Sequence, residues 1–371
     1  MSATNVFWIR PRRHNVGNET IAYALGGLLR AELGSDTNLL PVAATSGEYD
    51  GWLSGLTAET IHEINLYGHG VVIGGGNVYE NGGLDVDVDA LRELRPPLML
   101  CGVSYGRIYD ESGELRRRTD AMPDDVIRAL GERAAITVVR DETTLAHLEG
   151  LGLEGVTLGA CPSLALRPAT IPPPSGHRGE VLLSIRNPSL MSVPLRDQAR
   201  VASEVAHLVE ALRERDLGPV RLLCHDRRDM PFAAGFDGVE YTIPDDAADF
   251  LGRLRSASLV VTFRLHSFLP SLAMGVPAIN VSYDERSAGM MRTLGLAEWD
   301  VDLLAEPDLT GAVLDRAARL GDLEQLRAAC GPRRRELEDV LRGALGDFSE
   351  AVARYERRGR GRRPERPIAT A

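Results

Sequence analysis

Short apolar runs alternate with helix-like segments along the first half of the chain. Residues 5–10 (NVFWIR) predict a strand, and residues 18–34 (NETIAYALGGLLRAELG) predict a helix that ends at a glycine. Later apolar runs, such as GVVIGGGNVY and PPLMLCGVSYG, are rich in Val, Ile and Leu and show no polar alternation. Because strands buried on both faces have this composition, the pattern predicts a parallel sheet covered by helices on both sides.

The same alternation begins again after a segment rich in proline, glycine and polar residues. Residues 166–180 (LRPATIPPPSGHRGE) have the composition of a linker. Beyond them, apolar strands such as EVLLSIR, VRLLCHD, LVVTFR and PAINVSY alternate with helical segments. The predicted fold class is α/β, with two Rossmann-like domains that contain parallel sheets and enclose an interdomain cleft. Such sheets bind ligands at the carboxyl ends of their strands, so the residues that follow strands are the candidates.

The pattern divides the chain into five segments. An N-terminal Rossmann-like domain is expected over residues 1–167, a linker over 168–179, and a C-terminal Rossmann-like domain over 180–321. A helical segment is expected over 322–356, and a disordered basic tail over 357–371. We expect the arginine-rich tail to be solvated, and a weak peripheral contact with an anionic lipid or polymer is the alternative.

Composition and charge exclude several classes of protein. The 371 residues carry a formal net charge of −11, which argues against a general nucleic-acid binder. Schiff-base and P-loop lysine mechanisms are excluded, because the chain contains no lysine. No stretch approaches the roughly 18 apolar residues that a membrane span needs, and no signal peptide is recognisable. A cytoplasmic protein without a transmembrane segment is therefore expected.

The four cysteines are far apart and form no CxxC pair, so neither a disulfide framework nor a zinc site is expected. No other cluster of metal-ligating residues is recognisable in the sequence. Cys161 follows a predicted strand, where a small buried side chain is favoured over a nucleophile or a residue that faces the cleft.

The most informative stretch is LVVTFRLHSFLPSLAMGVPAI, residues 259–279. An apolar strand ends in Arg264 and His266, which would point the same way if the strand continued that far. A short helix is predicted to begin near Ser267. Its free backbone N–H groups, together with a guanidinium and an imidazole, would form a pocket for a phosphate or carboxylate. A terminal salt bridge and a structural histidine are the alternative, but the position beside the cleft favours a functional site.

Polar residues also follow the other strands of the second half, and we expect them to face the same cleft as His266. These residues are Arg186, Asn187, His225, Asp226 and Asp229. In the first half, three consecutive glycines precede Asn77, where a missing Cβ atom would allow close approach of a ligand or of a second backbone. A tight turn is the alternative. The glycines are Gly74, Gly75 and Gly76.

Two more groups of candidates stand at the beginnings of predicted helices. Asn15, Gly17 and Asn18 precede or begin the first helix. A helix cap explains Asn18 well, whereas Asn15 becomes a candidate ligand if the neighbouring motifs support it. Arg140 and Asp141 follow a strand, and the carboxylate of Asp141 suits the dipole of the helix after it.

Taken in order, these motifs make the chain resemble the polysaccharide pyruvyl transferase family over about residues 14–296. The matching stretches are NVGNETI, GGGN, CGVSYG, RDETTLAHLEGLG and ASLVVTFRLHSFLPSLAMGVPAINVSYDERS. The most specific element is the RLH triplet, followed by a small-residue helix, GVPAI and Tyr283. The resemblance implies two Rossmann-like domains arranged like a GT-B glycosyltransferase. It also implies phosphoenolpyruvate as donor, a pair of saccharide hydroxyls as acceptor, and a pyruvate ketal as product.

Together, the residues and the resemblance assign expected roles, with the donor in the C-terminal domain and the acceptor in the N-terminal domain. Catalysis is expected from His266 and Arg264. The expected donor-binding residues are Arg264, Ser267, Arg186, His225, Asp229, Tyr283 and Arg286. The expected acceptor or cleft residues are Asn15, Gly17, Asn18, Gly74, Gly75, Gly76, Asn77, Arg140 and Cys161.

The residue types suit this chemistry in their own right. Phosphoenolpyruvate carries a carboxylate and a phosphate, and Arg264 can clamp either group bidentately. His266 is expected to titrate near neutrality, so it could protonate the enol carbon or assist the departing phosphate. The reaction requires no redox cofactor and no obligatory metal, so neither is expected.

Departures from the family pattern keep two alternatives open. Asn18 and Cys161 stand where many members carry Asp, Ser267 replaces a glycine, and Arg286 stands where many have Lys. One alternative is a GT-B-type glycosyltransferase or nucleotide-sugar enzyme, although no acidic residue is obviously placed to bind a ribose. The other is a catalytically degenerate homologue that binds a glycan or an anion without turnover.

Overall fold

Two six-stranded parallel sheets, one in each half of the chain, form the frame of the molecule. The computed structural model describes residues 4–11, 15–46, 53–166, 171 and 178–360. Most of the expected linker and most of the expected basic tail therefore lie outside the described residues. The prediction of an α/β fold with two parallel-sheet domains is confirmed.

The N-terminal half contains the first sheet and a separate two-stranded hairpin. The strands in chain order are β1 (Thr4–Arg10), β2 (Thr37–Ala43), β3 (Gly70–Gly76), β4 (Leu98–Val103), the hairpin strands β5 (Ile108–Tyr109) and β6 (Leu115–Arg116), β7 (Ile136–Val139) and β8 (Val156–Leu158). The helices are α1 (Val16–Leu33), α2 (Ala58–Tyr67), α3 (Val88–Arg92), α4 (Asp124–Arg133) and α5 (Glu142–Gly150). The sheet order is β2-β1-β3-β4-β7-β8.

The C-terminal half contains the second sheet, in which the third strand of the domain lies at the edge instead of beside the first strand. The strands are β9 (Val181–Ile185), β10 (Val220–Cys224), β11 (Glu240–Thr242), β12 (Leu259–Thr262), β13 (Ala278–Ser282) and β14 (Asp300–Asp302). The helices are α6 (Gln198–Arg213), α7 (Met230–Ala233), α8 (Ala247–Ser256), α9 (Leu265–Met274), α10 (Glu285–Thr293), α11 (Leu309–Ala318) and α12 (Leu320–Arg360). The sheet order is β11-β10-β9-β12-β13-β14.

The central strands are apolar because helices cover both faces of each sheet. Every residue of β3 and of β12 is buried. Full burial of one Val, Leu or Ile side chain contributes about 1.5–3 kcal/mol, so these strands anchor the two cores. Their carboxyl ends are consequently fixed, and so are the polar residues that follow them.

Helix α12 returns from the second domain to the first. The N–H of Ala160 donates to the carbonyl of Leu337 at 2.9 Å, and Thr4 Oγ1 donates to Glu356 Oε1 at 2.8 Å. The helix continues to Arg360, so the expectation that the tail begins at residue 357 is wrong for residues 357–360. Although α12 has 41 residues, no helix in the described part of the chain combines the length and apolar character that a membrane crossing requires.

The hairpin segment between β4 and α4 ties the first domain to the second. Arg107 forms an ion pair of 2.6 Å with Glu285, and its backbone N–H also donates to that carboxylate. Arg118 Nη1 donates to Ser192 Oγ at 2.9 Å. This segment therefore links the two domains.

The three glycines at the end of β3 pack against helix α1. Gly75 has a left-handed backbone, with φ at +71°, and a Cβ atom there would overlap Cγ2 of Ile21. The glycines therefore allow the close approach of a helix rather than of a ligand, and none of them lines the cavity described below.

We expect Gly75→Ala to lower the free energy of unfolding by about 2–4 kcal/mol, because left-handed strain and overpacking against Ile21 add together. Denaturant titration measures this difference. Gly27→Ala is the matched control, since a Cβ atom at this helical position meets nothing within 4 Å and alanine favours the helix. A Gly75→Ala protein as stable as the wild type would contradict this packing.

Candidate active site

A cavity of about 260 Å³ opens between the carboxyl ends of the two sheets. Residues that directly follow β3, β7, β9, β10 and β13 lie on its wall. The expected site residues on the wall are Asn15, Asn18, Asn77, Arg140, Arg186, His225, Arg264, His266, Tyr283 and Arg286. Both domains thus contribute to one site.

Other expected residues lie behind the wall or away from it. Ser267 and Asp229 are fully buried and contact wall residues from beneath. Cys161 is buried in the core, where its Sγ lies 3.2 Å from Ser163 Oγ, and it does not line the cavity. The expectation that Cys161 is a cleft residue is therefore wrong, and Cys161 is a small buried side chain.

Helix α1 begins at the cavity. Asn15 is the N-cap, and its Oδ1 accepts a hydrogen bond of 2.9 Å from the N–H of Gly17. The prediction that Asn18 caps the helix is wrong, because Asn15 has the extended backbone that capping requires and Asn18 lies inside the first turn. A Cβ atom at Gly17 would lie 2.9 Å from Cβ of His266, so a glycine lets the two domains meet here.

Arg264 and His266 belong to the start of helix α9 rather than to strand β12. The strand ends at Thr262, whose Oγ1 accepts a hydrogen bond of 2.9 Å from the N–H of Arg264 and turns the chain. Arg264 is the N-cap residue, and the helix begins at Leu265, two residues earlier than predicted. The two side chains therefore do not share a strand face, although both reach the cavity.

His266 contacts an arginine of the opposite domain. Its Nε2 lies 3.1 Å from Nη1 of Arg140. Burial of the ring, and the positive charges of Arg140, Arg264 and Arg286, hold the pKa of His266 well below its ordinary value. The expectation that His266 titrates near neutrality is therefore wrong for the free protein, in which the ring is neutral at pH 7.

The carboxylate of Asp229 lies close to two arginines of the C-terminal wall. Arg186 Nη1 lies 3.2 Å from Asp229 Oδ1, whereas Arg264 Nη2 lies 4.0 Å from Asp229 Oδ2. Within the described residues, neither Arg264 Nη2 nor Asp229 Oδ2 has a hydrogen-bond partner. Two guanidinium charges thus face one buried carboxylate. An anionic ligand would satisfy both the excess charge and the unused donor.

Two serine hydroxyls hold His225 at the cavity floor. Its Nε2 lies 3.0 Å from Ser184 Oγ and 2.7 Å from Ser267 Oγ. Burial, together with the charge of nearby Arg264, lowers the pKa of His225 well below its ordinary value. His225 therefore contributes a neutral ring of fixed orientation to the site.

Arg286 joins two carboxylates, one from each domain. Its Nη1 lies 2.7 Å from Glu80 Oε2, and its Nε and Nη2 both contact Asp284 Oδ2. Glu80 is buried, and burial raises the pKa of Glu80 although the charge of Arg286 opposes this effect. The guanidinium expected to bind the donor is thus already paired with two acidic groups.

Sequence reasoning missed several residues of the cavity wall, and three polar ones come from the N-terminal domain. They are Glu80, Asn81 and Arg118. The partner of Glu80 lies 206 positions further along the chain, so no local pattern could have indicated the pair. Glu80 and Asn81 come three and four residues after Asn77, the last residue of the GGGN motif, and that proximity was the available signal.

The fold and the cavity define an α/β protein of two parallel-sheet domains, with a cationic interdomain site. The sequence model of the polysaccharide pyruvyl transferase family matches residues 15–285, which is most of the chain. The protein therefore belongs to the polysaccharide pyruvyl transferase family. This is a family of transferases, and the match supports a role in polysaccharide modification.

Several solved structures share the fold. The complex of S. aureus MnaA with UDP is similar with a TM-score of 0.54 and 13% identity, over 99% of this chain and 100% of that chain. A putative UDP-N-acetylglucosamine 2-epimerase from Listeria monocytogenes has a TM-score of 0.56 and 14% identity, over 99% of both chains. UDP-GlcNAc 2-epimerase from Neisseria meningitidis, bound to UDP-GlcNAc, has a TM-score of 0.51 and 10% identity, over 96% of this chain and 100% of that chain. At these identities the likeness establishes the fold alone, and the expected GT-B-like arrangement is confirmed.

Proposed function

We propose that this protein transfers a pyruvyl group from phosphoenolpyruvate to two hydroxyls of a saccharide-type acceptor and forms a ketal. The observation that carries the proposal is the convergence of Arg264, Arg140 and His266 on one interdomain cavity. Membership of the pyruvyl transferase family supports the same reaction.

The donor fits the charge of the cavity. Phosphoenolpyruvate brings a carboxylate and a phosphate, and a guanidinium binds either group through two parallel hydrogen bonds. Nη2 of Arg264 and Nε of Arg140 are both buried, and neither atom has a hydrogen-bond partner among the described residues. Their side chains are only 9% and 3% exposed, so water screens their charges weakly. We assign these two arginines to the anionic groups of the donor.

The reaction needs proton transfer rather than oxidation. A proton delivered to C3 of phosphoenolpyruvate makes C2 electrophilic, and the first acceptor hydroxyl adds to C2 and loses its proton. The C2–O bond to phosphate then breaks, inorganic phosphate leaves with the electron pair, and the second hydroxyl adds to C2 with loss of its proton. We assign the first proton transfer to His266, a step of a kind that contributes about 10²–10⁴-fold to the rate.

The N-terminal wall suits an acceptor rich in hydroxyl groups. Asn15, Asn18 and Asn77 line this wall, together with Glu80. A carboxamide both donates and accepts hydrogen bonds, as a hydroxyl does, so asparagines match a sugar better than they match an anion. We therefore assign this wall to the saccharide.

A phosphate-release assay tests the proposal. We expect inorganic phosphate to appear only when phosphoenolpyruvate and a suitable saccharide are both present, with a ketal of pyruvate as the second product. Binding of phosphoenolpyruvate without release across a broad acceptor panel would instead support a homologue that binds without turnover. Thermal stabilisation by a nucleotide sugar, with none by phosphoenolpyruvate, would favour the nucleotide-sugar alternative, which the ligands named with the similar structures motivate.

A further inference from the structure

The contact between Arg140 and His266 fixes the state of the histidine in the free protein. Arg140 Nη1 lies 3.1 Å from His266 Nε2. A guanidinium has only donors and keeps its proton, so the ring nitrogen that it contacts must be the acceptor. His266 is therefore neutral in this state, its proton is on Nδ1, and the lone pair of Nε2 is occupied.

The other groups that face His266 reinforce this state. Arg264 precedes its own helix, Arg286 comes from α10, and Arg140 follows β7, so positive charge reaches the ring from three elements. His225, which follows β10, is also a neutral ring. Within the described residues, no carboxylate forms an ion pair or hydrogen bond with the imidazole. A proton on His266 is unfavourable until negative charge enters the cavity.

This state conflicts with the role that the proposed reaction gives to His266. A general acid must carry the proton that it transfers, and here Nε2 has neither a proton nor an unoccupied lone pair. Binding of the donor must therefore change the partner of Arg140 before the first proton transfer can occur.

We propose that Arg140 is a positioning residue that blocks Nε2 of His266 in the free protein. When the donor binds, one of its anionic groups accepts the hydrogen bond of Arg140 in place of His266. His266 then takes up a proton from solvent. This inference rests on the proposed function, because it requires a donor with the negative charge of phosphoenolpyruvate. Because protonation follows donor binding, His266 is protonated only in the complex with the donor.

The surroundings of Arg140 make this exchange favourable. Its Nε stands 3.8 Å from Oδ2 of Asp141, and within the described residues neither atom has a hydrogen-bond partner. Besides this ion pair within its own domain, the guanidinium contacts the opposite domain through a hydrogen bond to a neutral imidazole. A phosphate or carboxylate forms a stronger, charge-assisted hydrogen bond with the same guanidinium. The incoming anion also offsets the positive charge that disfavours a proton on His266.

The first experiment uses the free protein and needs no donor. Histidine ¹⁵N NMR of the whole chain should show His266 with its proton on Nδ1, and Arg140→Met should raise its proton affinity by about tenfold or more. Arg128→Met, an exposed substitution on α4, is the control and should leave the titration of His266 unchanged. A proton on Nε2 in the wild type would overturn the inference, even if Arg140→Met failed to fold. An unchanged titration in folded Arg140→Met would overturn it as well.

The second experiment measures protons during donor binding. Calorimetric titration with phosphoenolpyruvate, in two buffers of different ionisation enthalpy, should show uptake of about one proton near pH 7. His266→Gln should bind phosphoenolpyruvate with no such uptake. Binding by the wild type without proton uptake would overturn this inference and leave the proposed function intact. Absence of binding would instead refute the proposed donor, while the NMR result would still decide the state of His266 in the free protein.

Discussion

Replacement of His266 by glutamine should lower the turnover number by about 10²–10⁴-fold, while the dissociation constant of phosphoenolpyruvate changes by less than about threefold. Glutamine can accept the hydrogen bond that Arg140 donates to Nε2 of His266 in the free protein, so the cavity keeps its shape. It cannot act as an acid near pH 7, so the proton transfer to C3 of the donor loses its source. Steady-state phosphate release gives the turnover number, and calorimetry gives the dissociation constant.

The matched control for this variant is His62→Gln. His62 is an exposed residue of α2 and is remote from the cavity wall, so its replacement should leave both constants unchanged. A His266→Gln protein that turns over within twofold of the wild type would remove His266 from the mechanism. A loss of donor affinity equal to the loss of turnover would assign His266 to binding instead.

Replacement of Arg264 by methionine should weaken phosphoenolpyruvate binding by about 30-fold to 1,000-fold, equivalent to about 2–4 kcal/mol. Arg264 presents an Nη2 that is buried and has no hydrogen-bond partner among the described residues, beside a carboxylate that Arg186 already pairs. The variant keeps the Arg186–Asp229 pair, so the wall retains one ion pair and should fold. Calorimetry with phosphoenolpyruvate measures the effect.

Two further variants separate charge from geometry at this position. Arg264→Lys keeps the charge but cannot form two parallel hydrogen bonds, so it should recover only part of the affinity. Arg213→Met, on the outer side of α6, controls for the loss of an exposed arginine and should bind the donor as the wild type does. Unchanged donor affinity in a folded Arg264→Met protein would show that the donor does not use this guanidinium.

The fold was predictable where burial imposes one pattern on the sequence. Strands β3 and β12 lie between helical layers, so all their positions are buried and their sequences are continuous apolar runs. The edge strands β11 and β14 carried no such signal. Glu240 and Tyr241 of β11 are exposed, because an edge strand has a partner on one side only.

The candidate site was predictable to the extent that topology alone positions residues. Arg140, Arg186 and His225 follow parallel strands, and the carboxyl ends of such strands meet at one edge of a sheet. The local conformation at Arg264 was not predictable in the same way. A strand periodicity was extended into residues that form a helix, because the hydrogen bond at Thr262 that ends the strand is invisible in the pattern.

The sequence by itself determined two parallel-sheet domains and a set of polar residues at the ends of their strands, because both follow from local composition and its period. Only the tertiary structure decided which of these residues meet. It paired Arg286 with Glu80 across the cleft and placed Arg140 against His266. It also decided the charge of His266, since proton affinity depends on burial and on distances to charges that other elements supply. Those distances arise only when the two domains pack together.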